Sequence, residues 1–382
     1  MRVMNRTQGG RSRLGPSARG AIFLSVVALG LAACGTDDDP TAETDDDPAA
    51  ETDDDAADPG ELDEVVVGGT MGGSDVAFFV ADARGYFEEE GIEIDLVQFS
   101  SASDMIPAVG SGELDVAGGA PSAGLLNSIA RDINLQIVAD KGSNVPGQGY
   151  FSLVVRADLV ESGEFSDFSD LQGRTIAFTG AGNTTQAMVY EALQTEGIEF
   201  DDANITDEFL GFGEMVTALD NESVDAATLI EPFVTAAVDM GAGVAFPGDE
   251  FYPNQQVAVV MYGEEFIARG DDLGTRFMKA YIRGARDYND AIEDGALDGP
   301  GADEIIDILI EYTAQDDPDV YRRAGPAGLN PDGAVNLEGL QRDFDFWESQ
   351  DLIEEGVSVE DAVDTSFVEA ALEELGEYEG AG

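Results

Sequence analysis

Between Leu62 and Met261 the chain switches repeatedly between two hydrophobic periods, and this switching constrains the fold more than any other feature. Runs rich in Val, Ile and Leu read as strands over 62–67, 92–99, 114–117, 135–139, 150–156, 174–178, 205–210, 226–229 and 257–261. Between them lie segments with apolar residues at helical spacing. Asp75 to Glu89 carries Val76, Phe79, Val80, Ala83 and Phe87 and closes at Gly91. Further helices are expected over 103–109, from Ser122 to Arg131, after Thr185 and over 215–219. Beyond Met261 the pattern is helical, over 273–292, 302–312, 337–347 and 365–375. Strands separated by helices pair in parallel through crossovers, so the expectation is an α/β fold. Two α/β runs joined by strand-like crossings at 150–156 and 257–261 fit two lobes about a hinge, with a ligand cleft between them. A single continuous α/β domain fits the periodicity as well.

Composition removes whole classes of function. The chain has 382 residues, with 79 Asp+Glu, 18 Lys+Arg and a formal net charge of −61. No basic stripe is present to meet a polyanion, so nucleic acid is not expected as a partner. There is no histidine, so no His-based nucleophile, general base or imidazole metal site can be built. The single cysteine, Cys34, excludes an internal disulfide and a thiolate zinc cluster. No cofactor and no metal are expected. An acid excess of this size repels itself in dilute buffer and is tolerated when salt screens it, which points to a salt-rich habitat.

The first 34 residues read as a targeting segment. Arg2, Arg6, Arg11, Arg13 and Arg19 precede an apolar run from Ala21 to Ala33, too short to span a bilayer and suited to a signal-peptide core. Leu31-Ala32-Ala33-Cys34-Gly35 resembles the lipobox of bacterial lipoproteins, which makes Cys34 the expected lipidation site. Residues 35–61 repeat Thr-Asp-Asp-Asp and should form an extended acidic linker.

Five short strings, in order, resemble one family. They are Val80 to Ile94 with its Gly85-Tyr86-Phe87-Glu88-Glu89 centre, Ser111 to Ala117, Asp170 to Ala177, Val224 to Ala227, and Glu231-Pro232-Phe233. Together they are similar to the solute-binding proteins of ABC transporters, in the nitrate/sulfonate/taurine and thiamine-precursor (NMT1/THI5-like) group. The resemblance covers roughly 65–295. It implies a type II periplasmic-binding-protein fold, with lobe I formed by 62–154 and 257–382 and lobe II by 155–256. It also implies a monomer that captures a small molecule outside the membrane and passes it to a permease and ATPase, held near them by the lipid at Cys34. Pyrimidine-synthase members of the group rely on an active-site histidine, which this chain lacks, so the resemblance favours binding over catalysis. Three rivals are a sensory receptor of the same fold, a carboxylate-based extracellular enzyme and a structural surface protein.

Ligands of open α/β sheets sit beyond the carboxyl ends of the strands. That rule nominates Ser74, Ser101, Gly119 and Ser122 on the first half, with Phe78 just inside a helix, and Thr184 and Thr185 on the second. Facing helix starts with small hydroxyl residues suit an anion. The same residues also serve as ordinary turns and caps. Gln148 lies before a crossing strand, and Glu231 would select an amine. Lys141, one of two lysines, either meets an anionic ligand or pairs with an acid. The expected solute is an anion or zwitterion of sulfonate, taurine or nitrate type, with a pyrimidine-like ring as the alternative.

Overall fold

The structure is a computed structural model that describes residues 62–131, 133 and 135–380. Residues 1–34, expected as a targeting segment with Cys34, and 35–61, expected as an acidic linker, lie outside the described residues. The described strands are β1 (Asp63–Gly69), β2 (Ile92–Gln98), β3 (Val116–Gly119), β4 (Leu135–Ser143), β5 (Phe151–Arg156), β6 (Thr175–Phe178), β7 (Thr206–Phe209), β8 (Ala226–Ile230), β9 (Gly243–Pro247) and β10 (Gln256–Gly263). They form two five-stranded sheets, ordered β2-β1-β3-β10-β4 and β7-β6-β8-β5-β9. In the first sheet β1 pairs in parallel with β2 and β3. In the second, β6 pairs in parallel with β7 and β8.

Each parallel trio is extended by one antiparallel strand, and in both cases that strand has just arrived from the other sheet. The chain leaves β4 and enters the second sheet as β5, with Leu153 opposite Thr228. It leaves β9 and returns as β10, with Val260 opposite both Gly118 and Ala139. Two crossings therefore join the sheets, and the carboxyl ends of both parallel trios meet. This is the two-sheet α/β arrangement that the alternating pattern and the resemblance imply.

Burial explains why these segments became strands. β5 and β10 are almost wholly buried along their length, which fits their continuous apolar runs rather than an alternating one. β9 was not expected from the sequence: Gly243-Val244-Ala245-Phe246-Pro247 is short, partly exposed and ends in proline, as an edge strand can. The helix expected over 75–89 is broken. A 3₁₀ turn at Gly73–Asp75 leads into Val76–Ala83, and Gly85, at φ 72°, resets the chain before Tyr86–Glu89.

After β10 the 20-residue helix Asp271–Asp290 crosses the helix Val76–Ala83 closely enough that a Cβ on Gly284 would stand 2.3 Å from the Ala77 carbonyl oxygen. The helix Leu337–Ser349 packs back toward the second sheet. Its Phe346 stacks on Tyr190 at 4.5 Å between centroids, and its Arg342 pairs with Glu191 at 3.3 Å. Among the described residues no helix is long and apolar enough to cross a membrane.

Candidate ligand cleft

A cavity opens where the two sets of strand ends meet, with about 450 Å³ of empty space within it and at its mouth. The first sheet contributes Thr70 after β1, Ser100 and Ser101 after β2, Gly119 and Ala120 at the end of β3, Lys141 from β4, and Val257 and Ala258 from β10. The second contributes Phe151 from β5, Thr179 after β6, Thr184 and Thr185 at a helix start, Phe212, and Ile230 at the end of β8. Tyr150, just before β5, completes the wall.

The charged group in this cavity wall is Lys141, and it is held in an ion pair. Lys141 Nζ lies 2.9 Å from Asp75 Oδ1 and donates to Ser74 Oγ at 2.8 Å. The other carboxylate oxygen, Asp75 Oδ2, accepts from the Gly72 N–H at 2.9 Å and from Thr70 Oγ1 at 3.3 Å. Lys141 reaches this place because residue 118 has no side chain: a Cβ on Gly118 would stand 2.5 Å from Lys141 Cε. The lysine charge is therefore matched inside the protein, by Asp75 and not by the adjacent Asp140. Asp140 is instead held by Gln256 at 2.6 Å and the Asn330 N–H at 2.7 Å, and burial pushes its carboxyl up to about 6. Burial also pushes the Tyr150 phenol up, against a hydrogen bond to Ser74 that pulls it down.

The second half adds a hydroxyl with no partner. Thr184 Oγ1 is buried, lines the cavity and has no hydrogen-bond partner among the described residues. Its backbone is held from behind: the Thr184 carbonyl accepts from Gln255 Nε2 at 2.9 Å, and the same amide donates to Asp343 Oδ1 at 3.1 Å. Tyr252 OH donates to Asp343 Oδ1 at 2.6 Å, and burial pushes the Asp343 carboxyl up to about 8. These buried bonds hold the Thr184 backbone in place, and the side chain presented to the cavity is Thr184.

Ser74, Ser101, Gly119, Thr184 and Thr185 thus line one cavity; Phe78, Ser122, Gln148 and Glu231 do not. Phe78 packs in the core, 4.9 Å from Tyr281 and 6.2 Å from Phe277 between ring centroids. Ser122 caps its helix by accepting from the Leu125 N–H at 3.1 Å and forms a bridge with Asn183. The Ala123 N–H donates to the Gly182 carbonyl at 2.8 Å, and the Thr185 N–H donates to Asn183 Oδ1 at 3.0 Å. The two facing helix starts hold each other and themselves. Gln148 is half-buried beside the backbone at Gly328. Glu231 turns into its own helix start, accepting from the Thr235 N–H and Oγ1, both at 2.9 Å. Thr179, Phe212 and Ile230 carried no signal in the sequence, whereas Thr70 lies in the turn after the first expected strand and Lys141 stood out as one of two lysines. Among the described residues no group of three or more His, Cys, Asp or Glu side chains is placed to hold a metal ion.

Residues 75–293, which carry most of this cavity, match the model of the family described as NMT1/THI5 like. The chain belongs to the NMT1/THI5-like family. One curated relative, the 4-amino-5-hydroxymethyl-2-methylpyrimidine phosphate synthase of Schizosaccharomyces pombe, is 30% identical over 104 residues, 27% of each chain. The match thus spans about a quarter of that enzyme's length. The riboflavin-binding protein RibY of Chloroflexus aurantiacus is 21% identical over 279 residues, 72% of this NMT1/THI5-like chain and 69% of RibY. Among solved structures, the alkanesulfonate-binding protein SsuA of Xanthomonas axonopodis pv. citri, bound to MOPS, is similar with a TM-score of 0.63 at 17% identity. That match covers 80% of this chain and 99% of the other, and it shows a shared fold.

Proposed function

We propose that this NMT1/THI5-like protein is the extracytoplasmic solute-binding lipoprotein of an ABC importer, tethered through Cys34 and the acidic linker. In this reading it is a monomer of two closing lobes that releases its solute unchanged to a permease and ATPase. The single observation that carries the reading is the cavity at the junction of the two sets of strand ends, with one wall from each sheet. Its composition supports a particular class of solute. Phe151, Phe212, Ile230 and Val257 supply apolar faces, and Lys141 arrives already neutralised by Asp75. A bare anion such as nitrate would have to compete with Asp75 for that lysine. A compact ring, itself uncharged and presenting an acceptor to the Thr184 hydroxyl, fits the lining better. The riboflavin ligand in the name of RibY and the pyrimidine in that of the yeast synthase agree in kind with a ring. Release without chemistry is supported by the absence of histidine from the chain.

The test is calorimetric titration in molar salt with pyrimidines, flavins, taurine, MOPS and nitrate. Saturable binding of a ring compound, recovered unaltered and accompanied by a smaller radius of gyration in scattering, is the expected result. Tight binding of nitrate or taurine alone would overturn the ring assignment. Turnover of the bound compound would overturn the transport reading. Cys34→Ser should move the protein from the membrane fraction to the soluble one.

A further inference from the structure

Behind Tyr150 lies a second cavity, with about 300 Å³ of empty space within it and at its mouth. Tyr150 lines both cavities and so partitions them. Three tyrosines line the second one: Tyr150, Tyr288 and Tyr321, none more than 3% exposed. Glu231 lines it as well, at 6% exposure. The acid and the other two tyrosines come from different halves. Glu231 follows β8 of the second sheet, whereas Tyr288 belongs to the helix Asp271–Asp290 and Tyr321 to the helix Pro318–Arg323, both after the return to the first sheet.

The carboxylate has hydrogen bonds but no counter-charge. Beyond the two bonds from Thr235, Glu231 Oε1 accepts a longer one from the Gly325 N–H at 3.4 Å. No lysine or arginine among the described residues pairs with it; Arg323, on the helix that carries Tyr321, pairs with Asp239 instead. A buried carboxylate is costly unless a positive group matches it. Tyrosine faces attract cations, and a desolvated cage of several is the surround that suits an ammonium group.

We propose that this compartment binds a small alkylammonium group between the two halves, with Tyr150, Tyr288 and Tyr321 as the cage and Glu231 as the counter-charge. The group is either a free small amine or the amino end of a solute whose ring lies in the main cavity. The second form rests on the function proposed above; the first does not. Because the acid and two of the tyrosines sit on opposite halves, the cation would hold those halves together. Burial pushes the Glu231 carboxyl up to about 7.

The experiment titrates the full chain, in detergent and at constant molar chloride, with methylammonium against sodium. Tyrosine fluorescence and melting temperature are the readouts. A parallel series uses an aminomethylpyrimidine and its methyl analogue without the amine. Saturable binding of methylammonium assigns the free amine; a preference for the amine-bearing ring alone assigns the solute's amino end. In either case Glu231→Gln and Tyr321→Leu should each weaken binding about ten-fold, and Tyr321→Phe, which keeps the ring, by less than about three-fold. No response to any amine, or a Glu231→Gln response equal to wild type, overturns the proposal. Binding of the amine-free ring under those same conditions leaves the solute-binding function standing. If Glu231→Gln fails to fold, the Tyr321 pair decides alone: equal loss in both variants, or in neither, rejects the cage.

Discussion

Lys141 and Asp75 are paired at 2.9 Å with their side chains 1% and 0% exposed, and Lys141 is at the same time part of the cavity wall. The pair is thus buried structure that reaches the cavity through Lys141, and its energetics decide how much charge the cavity shows. Removing one partner strands the other charge out of water. Lys141→Met should destabilise the fold by about 3–5 kcal/mol, measured by denaturant unfolding in molar salt. The double variant Asp75→Asn/Lys141→Met should cost less than the sum of the singles, because no uncompensated charge remains. Additive losses would mean the two groups do not share their burial.

Thr184 Oγ1 is the opposite case, a buried polar atom without a hydrogen-bond partner among the described residues. Thr184→Val keeps the shape and removes the hydroxyl. Stability should be unchanged or slightly raised, whereas solute affinity should fall about ten-fold, the worth of one buried hydrogen bond. Calorimetry on the solute found by screening, together with a melting curve, separates the two effects. An unchanged dissociation constant would remove Thr184 from the contact set.

The buried acids predict an inverted pH profile. The Asp343 carboxyl is raised to about 8 by burial, and Glu231 to about 7 for the same reason. Unfolded carboxylates titrate near about 4, so between there and about 8 the folded state holds protons that the unfolded state has released. Stability should fall as pH rises through this window, with the contribution fully present below it and lost above. Asp343→Asn cannot ionise, so its stability relative to wild type should grow from about pH 5 to about pH 8. Denaturant midpoints at several pH values check this, and a constant difference would count against it.

Charge repulsion predicts a salt dependence. With 79 acids against 18 bases, melting temperature should climb steeply from dilute buffer to about 1 M NaCl, where the screening length is about 3 Å. A flat or falling curve would end the inference of a salt-rich habitat.

Part of the cleft was legible because strand ends in parallel sheets are marked by punctuation. Gly118-Gly119 closes β3, Asn183 caps the helix that begins at Thr184, and the Ser100–Ser101 turn follows β2. Positions on loops with a β-to-helix switch can be read one chain segment at a time. Glu231 could not be read that way. Its type suggested an amine ligand in the main cavity, yet Thr235, four residues on, lies within reach of its carboxylate and turns it aside. Ser122 lies outside the cavity lining for a related reason: it bridges to Asn183, 61 residues distant, and no local pattern announces that bridge.

By itself the sequence determined the α/β character, the two runs of parallel strands, the helical C-terminal part and the exclusion of histidine chemistry. These follow from local periodicity and composition, which are properties of short windows and counts. Only the tertiary structure decided that Lys141 pairs with Asp75, that the Thr184 hydroxyl faces a cavity without a partner among the described residues, and that Glu231 and Tyr321 line a separate one. Those outcomes depend on which distant groups are brought within about 3 Å once the two sheets meet, and over that range a carboxylate becomes a cap, a counter-ion or a ligand contact.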